Sequence, residues 1–380
     1  MPKYIVRSAF TANFPTGEKL LRKGEALRLS CSSKATQLIA RGLVVDEHVG
    51  LDLLKKFDAR VKALTERVGY SRKDAQTEAA ELVKSCLKRH ESLKFTTPPS
   101  EEFLAEVEEF NRNARGKSPL SQVNVLSGVG EWAGYRCNIG TGCSHGCRYC
   151  FAEGLAVVRY KRVENADAWR TELLREVSTT RCRKRKKPIM FPTTHDITPA
   201  YLPAYRCHLY NLLHAENNVL IVSKPHRESI EAICNEFTSF RDNLAFRFTI
   251  GGINNESMRH WEPGAPLFEE RMECLRYAFE YGYSTSVSSE PMLGGRDEAE
   301  KMYYLLEPYV TGEIWFGTMK YIGGLKSDPD PVIADRAKEI LAQQTDDEIM
   351  ELVGRLDKLP KVQWKDSIKT IIEIRNGGLK

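Results

Sequence analysis

"NVLIVSKPHRESIEAICNEFTSFRDNLAFRFTIGG", Asn218 to Gly252, holds an apolar run, a helix-length spacer and a second apolar run in one continuous stretch. Val219 to Val222 and Leu244 to Phe248 are apolar along most of their length instead of at alternate positions. Strands of that kind are covered on both faces, as in a parallel sheet with helices outside. Two parallel strands need a crossover of a dozen residues or more, usually a helix, and residues 226–237 supply one. Each run ends in polar or glycine residues, Ser223-Lys224 and Gly251-Gly252.

The same alternation extends in both directions. "EWAGYRCN" and "PIMFPTT" precede the opening stretch, and "YSTSVSSEPM" and "EIWFGTM" follow it. Helical stretches are expected near 152–178, 199–216, 267–281 and 296–308. Six such units suffice for a partial or complete β/α barrel. Two more strands end in chemistry-bearing residues, Thr194-His195-Asp196 and Ser289-Glu290. In barrels and open α/β sheets the carboxyl ends of the strands build the site, so this periodicity predicts an enzyme.

The flanks divide the rest. Residues 1–46 read as a small N-terminal α+β module, with strands in "KYIVR" and "RKGEALRLS" and a short helix in "SSKATQLIARG" stopped by Gly42. Residues 47–120 read as a helical linker region. Leu53, Leu54, Phe57, Val61 and Leu64 make its first amphipathic face, and Pro98-Pro99 break it before Ser100 caps a helix from Glu101. The barrel is expected over 127–325 and a helical C-terminal extension over 326–380, where Thr345 and Glu348 form a capping box.

A hydrophobic fraction of 42% supports a core, and a net charge of +5 is too mild by itself to imply nucleic-acid binding. No apolar run of about 18 residues occurs and the N-terminus has no apolar h-region, so the expectation is a cytoplasmic protein with no membrane contact. Ten cysteines without an export signal argue against a disulfide framework. Six are scattered, whereas Cys137, Cys143, Cys147 and Cys150 fall in one short stretch.

That stretch contains "GCSHGCRYCFA", Gly142 to Ala152. Zinc is one reading, with Cys137 or His145 as a fourth ligand, although structural zinc sites usually take two separated pairs. A thioredoxin-like pair at Cys147 and Cys150 leaves Cys143 unexplained. Three closely spaced thiolates also suit a [4Fe–4S] cluster held through three irons.

This C-x3-C-x2-C stretch, after the first strand of a six-unit β/α domain and with Tyr149 before its last cysteine, resembles the radical S-adenosylmethionine (SAM) superfamily. "PTTHDITPAYL", "VLIVSKPH", "LAFRFTIGG" and "HWEPGAPLFEERMECLRYAFEYGYSTSV" narrow the resemblance to the spore photoproduct lyase branch and its phage- and prophage-associated relatives. It covers roughly residues 130–295, and it implies a partial (β/α)6 radical SAM barrel binding a [4Fe–4S] cluster through Cys143, Cys147 and Cys150. It implies that SAM chelates the open iron and is reductively cleaved to a 5′-deoxyadenosyl radical that takes hydrogen from a substrate. An external electron donor such as flavodoxin or ferredoxin is implied as well.

Residue by residue, Lys224 matches a lysine that contacts the SAM carboxylate, and Thr249 a small hydroxyl near SAM. His195-Asp196 stand where that branch has polar SAM-contacting residues, and Tyr149 is expected near the cluster and adenine. Glu290 is expected to meet a ribose hydroxyl or the substrate, or else to pair with Arg271 or Arg296. Thr193 stands where the lyase carries a hydrogen-returning cysteine, and a hydroxyl cannot replace a thiol there. The substrate suggested is DNA or RNA. "RCRKRKKP" places six basic residues among the eight from Arg181 to Pro188, at the opposite end of the sheet from the chemistry. Trp261, Tyr283 and Trp315 are candidates for stacking on a base. The competing reading is a zinc-stabilised, non-catalytic nucleic-acid-binding protein.

Overall fold

In the computed structural model the described residues are 3–6, 10–14, 17–21, 26–28, 44–123, 128–176, 182–320 and 322–377. By contact the chain divides into two units, Met1–Glu91 and Ser92–Lys380.

In the first unit Lys3–Val6 pairs antiparallel with both Ala26–Arg28 and Val44–Asp46. Phe10–Phe14 and Gly17–Leu21 form a separate hairpin. The helix expected over 32–42 lies outside the described residues. Helix Glu47–Ala63 runs into a wider turn, Leu64–Val68, which Gly69 ends at φ +86°. A left-handed backbone suits glycine there because no side chain opposes it. Leu53 of that helix and Val83 of Arg72–Ser92 form a buried cluster.

The second unit is built on an eight-stranded sheet. We number its strands β1 Leu120–Gln122, β2 Tyr135–Cys137, β3 Ile189–Phe191, β4 Val219–Ser223, β5 Leu244–Thr249, β6 Ser284–Ser289, β7 Ile314–Phe316 and β8 Val362–Trp364. Every strand pairs with its predecessor in the chain. From β2 to β8 the pairing is parallel, and only β1 is antiparallel. The architecture is therefore mixed α/β with a mostly parallel sheet.

All six expected strands are present, as β2 to β7. The sheet is larger than expected because β1 and β8 extend it, so residues 326–380 supply a strand besides the helices Pro331–Gln343, Asp346–Leu356 and Asp366–Arg375. The helix expected over 152–178 is broken into Phe151–Gly154, the turn Leu155–Arg159 and Ala166–Arg170. Lys161 takes φ +46° between them, which no continuous right-handed helix allows.

Register sorts the side chains by face. Ile189, Val219 and Leu244 share one face with Phe191, Ile221, Phe246 and Phe316. This apolar face meets helix Leu202–His214, where the Phe191 ring lies 5.9 Å from Tyr205 and 5.6 Å from His208. The second face carries Arg247, Ser286, Ser288 and Trp315. Of the candidate stacking residues, Trp261 and Tyr283 are fully buried in the core, whereas Trp315 is half-buried. Among the described residues no helix is long and apolar enough to cross a membrane.

Candidate active site

The cysteine loop follows β2 at the carboxyl end of the sheet, and its path is fixed by backbone. Gly142 has φ +93°, and a Cβ there would lie 2.4 Å from the Trp169 carbonyl oxygen, so only glycine fits. Cys143 N–H donates to that same carbonyl at 2.9 Å. On the other side, Arg148 N–H donates to Trp261 O and Gly264 N–H to His145 O, both at 2.9 Å. A Cβ on Gly264 would meet the Ser144 carbonyl at 2.4 Å. Glu172 ties the loop to the strand end after β3, accepting from Ser144 N at 2.9 Å and from the Thr198 hydroxyl at 2.5 Å.

Cys143 and Cys147 are buried and Cys150 is half-buried; none forms a disulfide. Cys150 caps helix Phe151–Gly154, its sulfur accepting from Glu153 N at 3.4 Å. Burial pushes all three thiols up, Cys147 to about 12. Cys137 is not in this group. Its sulfur points instead to His208 Nε2 at 3.1 Å.

Asp196, at the end of the β3 strand segment, is the centre of a second layer. Its Oδ1 accepts from Ser223 Oγ at 2.9 Å and from Lys224 N at 2.6 Å. Its Oδ2 takes His145 Nδ1 at 2.8 Å and lies 3.8 Å from the Cys143 sulfur. His145 Nε2 is 2.8 Å from His226 Nε2. Burial alone would raise the Asp196 carboxyl, but Lys224 and His145 hold it far below the usual range. Ligand atoms of Cys143, His145 and Asp196 lie within 4.8 Å of one another.

Glu262 makes a third layer, which sequence reasoning missed. It is 1% exposed and pairs with Arg271, itself fully buried. Its other oxygen accepts from the Tyr149 hydroxyl. Arg271 is further held by Pro266 O at 2.7 Å and Thr249 O at 3.1 Å. Burial opposes ionisation of Glu262, yet Arg271 and then Lys224 keep its carboxyl below the ordinary value.

Lys224 joins the layers. Its Nζ lies 3.9 Å from Asp196 Oδ2, 4.0 Å from Glu262 Oε1 and 5.8 Å from the Tyr149 ring centre. Burial would lower its pKa, but neighbouring Cys147, Asp196 and Glu262 raise it. Both carboxylates are beyond hydrogen-bond distance, so they neutralise the ammonium without engaging its protons.

The remaining candidates divide. Thr249 enters through its backbone carbonyl. His195 is occupied: Nε2 accepts from Gly140 N–H at 3.2 Å, and Nδ1 lies 2.9 Å from the Tyr205 hydroxyl. Glu290 pairs with neither Arg271 nor Arg296. Lys365, just past β8, lies 3.5 Å from it, while Arg296 is held by Glu348 and Glu351 at 2.8 and 2.7 Å. Thr193 is bound to Asn138, whose Nδ2 donates to Oγ1 at 2.9 Å. Arg181 lies outside the described residues. Within the rest of the basic run, Lys184 pairs with Glu216 at 2.7 Å, Arg185 stacks 5.0 Å from the Tyr135 ring centre, and Arg183, Lys186 and Lys187 are exposed.

No family model matches this sequence and no curated protein matches it. Among solved structures, a variant of spore photoproduct lyase with dinucleoside spore photoproduct is 13% identical; the alignment covers 61% of this chain and 77% of that one, with a TM-score of 0.41. Streptococcus suis SuiB bound to S-adenosylmethionine is 9% identical over 98% of this chain and 74% of that one, with a TM-score of 0.35. SuiB bound to the precursor peptide SuiA gives 10% identity, 98% and 75% coverage, and a TM-score of 0.38.

Proposed function

We propose that this chain is a radical SAM enzyme, with a partial β/α barrel carrying the site at its strand ends. The observation that carries the reading is the pairing of three free thiols on one clamped loop with the ammonium of Lys224, whose charge is balanced but whose protons are not taken. The donor set fits the group. Cys143, Cys147 and Cys150 would each supply one thiolate to a [4Fe–4S] cluster and leave one iron open. Held by these three cysteines, a cluster would supply the electron for reductive cleavage of the SAM sulfonium.

The chain's own residues do the positioning. Lys224 would grip the SAM carboxylate, while Asp196 and Glu262 fix where its ammonium stands. Arg271 holds Glu262 in place, and Tyr149 closes the wall beside it. Thr193 offers no thiol to return hydrogen. Cys182 precedes β3 and Cys207 lies on helix Leu202–His214, so neither stands at the strand ends. Exposed Arg183, Lys186 and Lys187 support nucleic acid as the substrate, held at its phosphates. An external protein such as flavodoxin or ferredoxin would supply the electron.

The test is anaerobic reconstitution with iron and sulfide, reduction, addition of SAM and chromatography for 5′-deoxyadenosine. The nucleoside is expected from the native chain and not from Cys150→Ala. A second reading, a zinc-stabilised nucleic-acid-binding protein, draws on the tight Cys143, His145 and Asp196 group. Protein that arrives with zinc, takes up no iron or sulfide and yields no nucleoside would replace the first reading with this one.

A further inference from the structure

The second face of the sheet carries a polar group that the cofactor chemistry does not use. Arg247, at the middle of β5, is in register with Ser286 of β6, and Ser288 is in register with Trp315 of β7. Arg247 is 7% exposed. Its Nε donates to Ser286 Oγ and its Nη2 to Glu313 Oε2, both at 2.9 Å. The guanidinium lies 4.5 Å from the Trp132 ring centre and 5.6 Å from that of Trp315. Lys365 Nζ lies 4.1 and 5.5 Å from the same rings. The two indoles meet edge to face at 5.9 Å.

Two donors in this cage are orphaned. Arg247 Nη1 and Trp132 Nε1 are buried with no acceptor among the described residues. Buried donors are nearly always paired, because leaving one without an acceptor is costly. Both groups are donors only, so what completes them must offer lone pairs. It need not carry charge. Arg247 and Lys365 already face Glu313, Glu131 and Glu290, two cations against three carboxylates, and nearby Lys369 pairs with Asp366. Flat indole faces beside the donors favour a flat ligand.

We infer that this cage binds a neutral, planar group bearing carbonyl oxygens, a cyclic imide or an amide, which accepts from Arg247 Nη1 and Trp132 Nε1. Arg247 lies two residues before Thr249 on the same face of β5, about 7 Å along the strand. As the place where substrate is presented to the strand-end site, the cage rests on the radical SAM reading; as a binding site it does not.

The experiment is calorimetric titration of the iron-free full chain with uracil, N-acetylglycinamide and benzoate. At least one neutral probe is expected to bind, and benzoate at least tenfold more weakly. Preference for uracil assigns the group to a nucleobase, and preference for N-acetylglycinamide assigns it to a peptide. Trp132→Phe keeps an aromatic ring but loses the N–H with the pyrrole half of the indole, and it should weaken binding at least fivefold. Arg247→Lys keeps the charge and loses Nη1, and should weaken it at least tenfold. If that variant does not fold, Trp132→Phe decides. No binding by either neutral probe, or unchanged affinity in a folded Trp132→Phe, overturns the inference. Failure to form 5′-deoxyadenosine would overturn the catalytic reading and leave this titration untouched.

Discussion

Lys224 is the residue on which the cofactor reading turns, and it is separable from the cysteines. Lys224→Met should leave iron content per chain unchanged while weakening SAM binding by about 2 kcal/mol, the scale of a hydrogen bond to a charged group. Calorimetry on reconstituted protein, with iron measured in parallel, checks both halves. His208 belongs to a different economy. Burial holds it at about 4, below the ordinary value near 6.5. The folded chain therefore keeps the ring neutral, whereas the unfolded chain takes a proton as pH falls through about 6.5. Its contribution is complete above that pH and is lost between about 6.5 and 4, roughly 3 kcal/mol in all. In His208→Phe the urea midpoint should fall less steeply across that window. The cysteines, Asp196 and Lys224 were legible in the sequence because spacing or a strand end marks each. Glu262 was not: a single Glu in "HWEPGAPL" gives no sign that both its oxygens face cations and a phenol inside the core.

Among the elements, legibility followed length and chemistry. Strands β4 and β5 are apolar for most of five and six residues, and no helix or loop reading competes with that. β1 and β8 have three residues each, "LSQ" and "VQW", too short and too polar for a pattern to form. They are strands because a neighbouring strand offers them partners. The caps, by contrast, are local and were readable. Thr345 Oγ1 accepts from Glu348 N at 3.4 Å, and Ser100 Oγ accepts from Phe103 N at 3.2 Å. Ser100→Ala should cost about 1 kcal/mol in urea unfolding, the usual value of an N-cap. The broken stretch after Cys150 shows the limit of helical periodicity. Its apolar residues continue the pattern, but Phe151, Val158 and Tyr160 are exposed, and only a small cluster of Ala152, Ala156 and Trp169 with Cys143 is buried.

At the scale of the second unit, the two ends of the sheet are chemically different. Thiols, Asp196 and Lys224 gather where the strands finish, while the exposed cations of 183–187 lie where β3 begins. If those cations contact phosphate, Lys186→Ala with Lys187→Ala should lower the log–log salt slope of nucleic-acid binding by about 2 and weaken all sequences alike. Fluorescence anisotropy over a salt series measures it; an unchanged slope would leave the run as solvated surface. The sheet's order also has a consequence in time. Because each strand pairs with the one before it in the chain, every strand from β2 onward leaves the ribosome after its first neighbour. Assembly can thus keep pace with synthesis. Contacts between distant segments must wait longer, as where Lys365 reaches Glu131 at 2.5 Å across 234 residues of chain. The tryptophan cage can therefore close only after all eight strands of this sheet have been made.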